Sequence, residues 1–169
     1  SLLHASVHND ASLEIKFIDS ENIKKTNLKI LNNLQGIVVP GGFGNRGING
    51  KILTANFARV NNIPYLGICL GMQISVIEFA RNVLGLKKAN STEFDINTPH
   101  PVISLVSEWE DYKKGKRTGS TEQLGGTMRL GAQQCRLVKS SLAHSLYKKN
   151  TITERHRHRY EVNNKYIND

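Results

Sequence analysis

The sequence predicts an α/β domain, with a mostly parallel sheet flanked by helices. Three observations carry that expectation. Two short apolar runs, Ile37–Val39 and "IPYLGIC", each precede a stretch with apolar residues at helical spacing. Each run ends in a glycine-rich turn, "PGGFG" or "GICLG". Short apolar strands alternating with helices build parallel sheets covered on both faces. Ligands in such sheets gather outside the carboxyl ends of the strands, so two special turns at that edge mark a candidate site.

The elements follow in order. "SLEIKFIDS" (Ser12–Ser20) alternates apolar and polar residues at Leu13, Ile15 and Phe17, which predicts a strand. "NLKILNNL" (Asn27–Leu34) has helical spacing and ends before Gly36. Ile37–Val39 reads as a buried strand, and "INGKILTANFARVNN" as a helix with Ile52, Phe57 and Ala58 inward. "IPYLGIC" is the next strand. "LGMQISVIEFARNVLG" is a helix with an apolar stripe at Met72, Val76, Phe79 and Val83, stopped by Gly85. Glu78 falls outside that stripe and reads as a solvated charge. Beyond Asn90, "TPHPVISLV" and "GGTMRLGAQQCRLV" read as strands of a more open, partly antiparallel region. Residues 1–169 are taken as one domain or part of one.

No apolar run approaches the roughly 20 residues that span a bilayer, and the start lacks a signal-peptide layout. Cys69 and Cys135 are far apart and outside any CxxC spacing, so neither a disulfide framework nor a metal site is expected. Cys135 reads as an inert core thiol, and the default setting is cytoplasmic. The net charge of +9 asks for an anionic ligand, a nucleic acid or an acidic neighbour. Much of the local excess lies in "YKKGKRTG" (Tyr112–Gly119), read as a solvated loop, and in "ERHRHRYE" (Glu154–Glu161). Trp109 reads as a surface or interface residue without an assigned role.

Gly67-Ile68-Cys69-Leu70-Gly71 has the G-x-nucleophile-x-G layout of a strand-to-helix elbow. Such a turn lifts the sulfur to the sheet edge, at a helix N-terminus that favours negative charge. The Leu70 amide then points at a developing oxyanion. "PGGFG" supplies a second amide, because glycines reach backbone conformations closed to other residues. The alternatives are a buried small thiol at the first turn and a phosphate loop or plain turn at the second. No G-x-x-x-x-G-K-[ST] occurs.

"LGICLGMQ" with an upstream "PGGFG" resembles the class I (triad) glutamine amidotransferases, a flavodoxin-like fold. "VPGGFGNRGINGKI", "IEFARNVLGL", "ANSTEF", "GGTMRLG" and "RHRHRYEVNN" narrow the resemblance to the glutaminase domains of the CTP synthase family. It covers nearly all of residues 37–165. The resemblance implies that Cys69 attacks the glutamine amide and forms a glutamyl thioester. It implies Gly42 and Leu70 as oxyanion-hole donors. Gly42, Leu70, Gly71, Met72, Gln73, Glu93 and Arg159 would form the glutamine site, Glu93 suiting the ammonium and Arg159 the α-carboxylate. It implies no cofactor or metal in this domain. For the full enzyme it implies ATP, Mg, a GTP activator, an amidoligase domain that aminates UTP to CTP, and a homotetramer. No nucleic acid or membrane partner is implied.

One departure stands out. The family's base and its orienting carboxylate form a histidine-x-glutamate pair after "RYEVNN". None of His4, His8, His100, His144, His156 and His158 begins such a pair here. The chain therefore reads as a fragment of the domain, truncated at both ends and unable to turn glutamine over alone at a useful rate. Two other readings stand beside this one. A non-catalytic basic binding module rests on the charge and on Tyr160 within "RHRHRY". A peptidase-like protein keeps the elbow but gives no reason for Glu93 or "RHRHRYE", and another class I amidotransferase is disfavoured by "GGTMRLG" and "ANSTEF".

Overall fold

A computed structural model describes residues 1–105 and 128–168, together with the backbone of strands 108–111 and 115–118. Its centre is β1 (Ile37–Val39), α2 (Ile48–Val60), β2 (Tyr65–Gly67) and α3 (Leu70–Asn82). β1 and β2 pair in parallel, Ile37 opposite Tyr65 and Val39 opposite Gly67. Both strands therefore end at the same edge, where "PGGFG" and the cysteine turn begin.

The main core lies between α2, α3 and a three-stranded sheet. That sheet runs β3 (Ala89–Ser91), β4 (His100–Leu105) and β9 (Tyr160–Val162), parallel and then antiparallel. Ile52, Ala55, Leu70, Ile74, Ile77, Val102 and Ile103 form its buried centre. A long hairpin, β7 (Arg129–Arg136) with β8 (Thr151–His158), carries the short helix α4 (Leu142–Tyr147) in its connection. The parallel part is smaller than expected. Two pairs are parallel, and the remaining three among the described residues are antiparallel.

Several sequence expectations change. Residues 12–20 form no strand, although a helical turn begins at Ser20. An alternating segment needs a ladder partner, and here Phe17 is 92% exposed. Asn27–Leu34 is a 3₁₀ segment, Lys25–Leu31, broken by Asn27 at φ −129° and ψ 24°. The amino terminus contributes instead a short helix, α1 (Leu2–His8), without buried residues. Within "YKKGKRTG", Gly115–Thr118 is strand β6, paired antiparallel with β5 (Glu108–Asp111), not loop. Tyr112–Lys114, Gly119, Gly125–Thr127 and the Trp109 side chain lie outside the described residues.

Helix α3 stands where expected, but its buried face is different. Leu70, Gln73, Ile74, Ile77, Glu78 and Ala80 face inward. Met72, Phe79 and Val83 are exposed. Glu78, expected in solvent, is 2% exposed. The Arg59 guanidinium donates to both of its oxygens, at 2.8 and 2.9 Å, and Asn56 and Asn82 donate to Oε1. Burial alone would raise the Glu78 carboxyl; these donors outweigh it and hold it below the usual carboxylate range.

Candidate active site

Cys69 is the N-cap of α3 and sits at φ 56° and ψ −109°. A non-glycine residue in this region carries backbone strain of roughly 1–3 kcal/mol. The surrounding elements hold it there. The Ile68 N–H donates to the Val39 carbonyl at 3.0 Å, and Gly71 N–H to Ile68 O at 3.0 Å. The Tyr65 hydroxyl donates to Gly71 O at 2.8 Å. Burial raises the Tyr65 pKa, so the phenol stays protonated and remains a donor.

The two glycines of the elbow are required by space. A Cβ at Gly67 would stand 2.5 Å from the Gly71 carbonyl carbon and the Met72 nitrogen, and one at Gly71 would overlap the Val39 carbonyl oxygen. The second turn folds against the first. A Cβ at Gly41 would come 3.3 Å from Cys69 Cβ, and one at Gly42 would come 3.3 Å from Leu70 Cδ2. Left-handed backbone, expected for this loop in general, occurs at Gly44 (φ +72°). At Gly41 and Gly42 the need is for room.

The Cys69 carbonyl accepts from Met72 N–H at 3.1 Å and Gln73 N–H at 3.2 Å, closing the first turn of α3. Leu70, the first helical residue, has no intrahelical acceptor for its own N–H. Its side chain is buried, so only its backbone can serve a ligand. Cys69 opens on a cleft of about 390 Å³ that it shares with Gly42, Gln73, Glu93 and Arg159. Residues 42, 69, 73, 93 and 159 thus come together from four separate stretches of chain, Cys69 and Gln73 both belonging to the start of α3. Leu70, Gly71 and Met72 do not line the cleft.

Each wall is fixed by named bonds. Glu93 follows β3; its N–H donates to Ser91 Oγ at 3.1 Å, and its Oε1 accepts from Gly44 N–H at 3.0 Å. Buried Gln73 donates through Nε2 to the Tyr160 carbonyl at 2.7 Å, joining α3 to the residue after Arg159. Arg159 Nε is buried without a hydrogen-bond partner among the described residues. A cation with an unfilled donor suits an incoming carboxylate.

Phe43, Met128 and Arg157, which have no role expected from the sequence, also line the cleft, as do Tyr160, expected only in a basic binding patch, and His158. A signal was present in "RHRHR". Along β8 the side chains alternate, so His156 and His158 share the half-buried face while Arg155 and Arg157 are exposed. Burial, then His156 and Arg129, holds His158 below the usual imidazole range. Burial raises the Glu161 carboxyl against the opposing pull of Arg129 and His156.

Ligand atoms of His156, His158 and Glu161 lie within 4.8 Å of one another, close enough to approach one ion. Arg129 Nε stands 3.2 Å from Glu161 Oε1 and already supplies the counter-charge. Cys135 is half-buried on β7, not in the core, with Sγ 3.8 Å from His156 Nε2. A larger cavity of about 660 Å³, lined by Val76, Phe79, Val102 and Tyr166, lies beside α3 and holds neither cysteine.

The family model for class I glutamine amidotransferases matches residues 1–169. A CTP synthase of Buchnera aphidicola subsp. Baizongia pistaciae is 55% identical over 168 residues, covering 99% of this chain. The chain spans 31% of that relative's length. The glutaminase domain of Trypanosoma brucei CTP synthase, solved with bound acivicin, superposes with a TM-score of 0.82 at 42% identity. That match covers 98% of this chain and 61% of the solved one. The chain belongs to the class I glutamine amidotransferase family.

Proposed function

We propose that this chain is the glutamine-hydrolysing part of a CTP synthase, acting through Cys69. The observation that carries the reading is the strained Cys69 backbone, held between two crowded glycines and facing a cleft with Glu93 and Arg159. The acivicin-bound trypanosomal domain supports the same ligand class.

In this reading Glu93 takes the α-ammonium of glutamine and Arg159 the α-carboxylate, which lays the side-chain amide beside the sulfur. The Cys69 thiolate attacks the amide carbon, and the electron pair moves onto the carbonyl oxygen. Amides of Gly42 and Leu70 face that oxyanion; one such donor typically changes the rate about 100- to 1,000-fold. Collapse of the intermediate breaks the C–N bond, and ammonia leaves with an added proton. A water molecule then attacks the thioester carbon and releases glutamate with the free sulfur.

Proton transfer takes a histidine base oriented by a carboxylate. The 169 residues hold no histidine-x-glutamate pair to supply it. Turnover by residues 1–169 alone is then negligible. In the whole protein, ammonia would pass to an amidoligase domain that aminates UTP with ATP and Mg, under GTP activation and in a homotetramer. The 55% identity to a CTP synthase supports this assignment. A cytoplasmic setting fits it; no described helix is long and apolar enough to cross a membrane.

Ammonia release from glutamine by the full-length protein tests the reading. Cys69→Ala is expected to lower it by about 10,000-fold or more. Release at the wild-type rate would refute the role of Cys69.

A further inference from the structure

Gly44 is the link between two parts of the site that otherwise act separately. Its N–H donates to Glu93 Oε1 at 3.0 Å, across 49 residues of sequence. Gly44 lies two residues beyond Gly42 and has φ +72°, while a Cβ placed on it would meet nothing within 4 Å. Its requirement is therefore for backbone shape, and that shape points its N–H at the carboxylate. The other end of the bridge is anchored. The Glu93 N–H donates to Ser91 Oγ, Thr92 N–H donates to Ile103 O at 3.0 Å, and Ser91 is fully buried.

A carboxylate offers two oxygens and about four lone-pair sites. Among the described residues, one bond to Glu93 is from the loop, which leaves capacity for a cationic ligand in the same cleft. We propose that Glu93 is a positioning residue for the oxyanion loop as well as a substrate contact. It clamps the Gly41–Gly44 turn so that the Gly42 amide stays directed at the Cys69 cleft. This rests on the proposed glutaminase reading and adds a second role to Glu93. Recognition of the α-ammonium and readiness of the oxyanion hole then share one carboxylate.

The two roles separate with a substrate that lacks an ammonium group. p-Nitrophenyl acetate acylates a cysteine: the Sγ–acyl bond forms, the ester C–O bond breaks, and p-nitrophenolate leaves with the electron pair while the thiol proton is lost. This step uses an oxyanion hole but no ammonium site. Iodoacetamide alkylates the same sulfur by displacing iodide and uses no oxyanion hole. Both rates are measured on full-length protein, with adducts mapped to Cys69, for wild type, Glu93→Gln and Glu93→Ala.

Glu93→Gln keeps an oxygen for the Gly44 N–H and is expected to acylate within about threefold of wild type. Glu93→Ala is expected to acylate about 10- to 100-fold more slowly, with iodoacetamide alkylation equal in all three proteins. Wild-type acylation of Glu93→Ala would overturn the clamp while leaving the Cys69 reading intact. Parallel loss of alkylation in Glu93→Ala would also overturn it, because the sulfur itself was then disturbed. Failure of wild-type Cys69 to acylate would overturn the glutaminase reading, and the clamp with it.

Discussion

Gly71 shows how much of the site depends on a missing methyl group. A Cβ there would overlap the Val39 carbonyl oxygen, and that oxygen is also the acceptor for Ile68 N–H. Neither strand nor helix can yield without moving Cys69. Gly71→Ala is therefore expected to cost about 3 kcal/mol, read as a lower urea midpoint; an unchanged midpoint would mean that the elbow is looser than this packing implies. Glu78 carries a second residue-scale prediction. Its pKa is lower in the folded protein than unfolded, so its stabilisation is present above the usual carboxylate value. The stabilisation is lost as pH falls through the depressed folded value. Glu78→Gln should lower Tm at pH 7, and the gap to wild type should close below about pH 4. A gap that stays constant to pH 3 would contradict the ion pair with Arg59. At this scale Cys69 and its glycines were legible in the sequence, because strain and crowding leave a residue signature. The burial of Glu78 was not, because Arg59, which neutralises it, and Asn56, which donates to it, lie on a different helix.

Among the elements, α3 joins the most functions. Its N-terminus carries Cys69, its first turn carries Gln73, and its second half carries Glu78. The tie from Gln73 Nε2 to Tyr160 O makes the helix a strut for the chain beside Arg159. Gln73→Ala is expected to raise the glutamine KM about tenfold while changing kcat much less, since the tie positions a ligand contact and not the sulfur. Steady-state kinetics checks this, and an equal fall in kcat with unchanged KM would place Gln73 in the chemical step. The period of α3 was legible, but the choice of face was not. Met72, Val76, Phe79 and Val83 follow helical spacing as well as Leu70, Ile74 and Ile77 do, and only the neighbouring α2 and β4 decide which set is buried. The segment Ser12–Ser20 departs from its strand pattern for a related reason. Alternation states which face would be buried in a sheet but supplies no partner strand.

Across the molecule, the chain brings two glycine turns, the end of β3 and the β8–β9 junction to one cleft. The first two were expected together, because parallel strands end at the same edge. The arrival of Glu93 and Arg159 beside them was implied by resemblance alone, since contacts between residues 44 and 93, or 73 and 160, leave no local pattern. The basic composition also finds a partial place. Arg155 lies on the exposed side of the hairpin, Arg129 is paired with Glu161, and Arg157 and Arg159 line the cleft. The central claim is that Cys69 is the nucleophile of a glutamine site. Intact-mass spectrometry of the full-length protein, after exposure to an electrophilic glutamine analogue, tests it most directly. The account predicts one adduct per chain, mapping to Cys69 and suppressed by excess glutamine. An unmodified Cys69, or an adduct confined to Cys135, would contradict it.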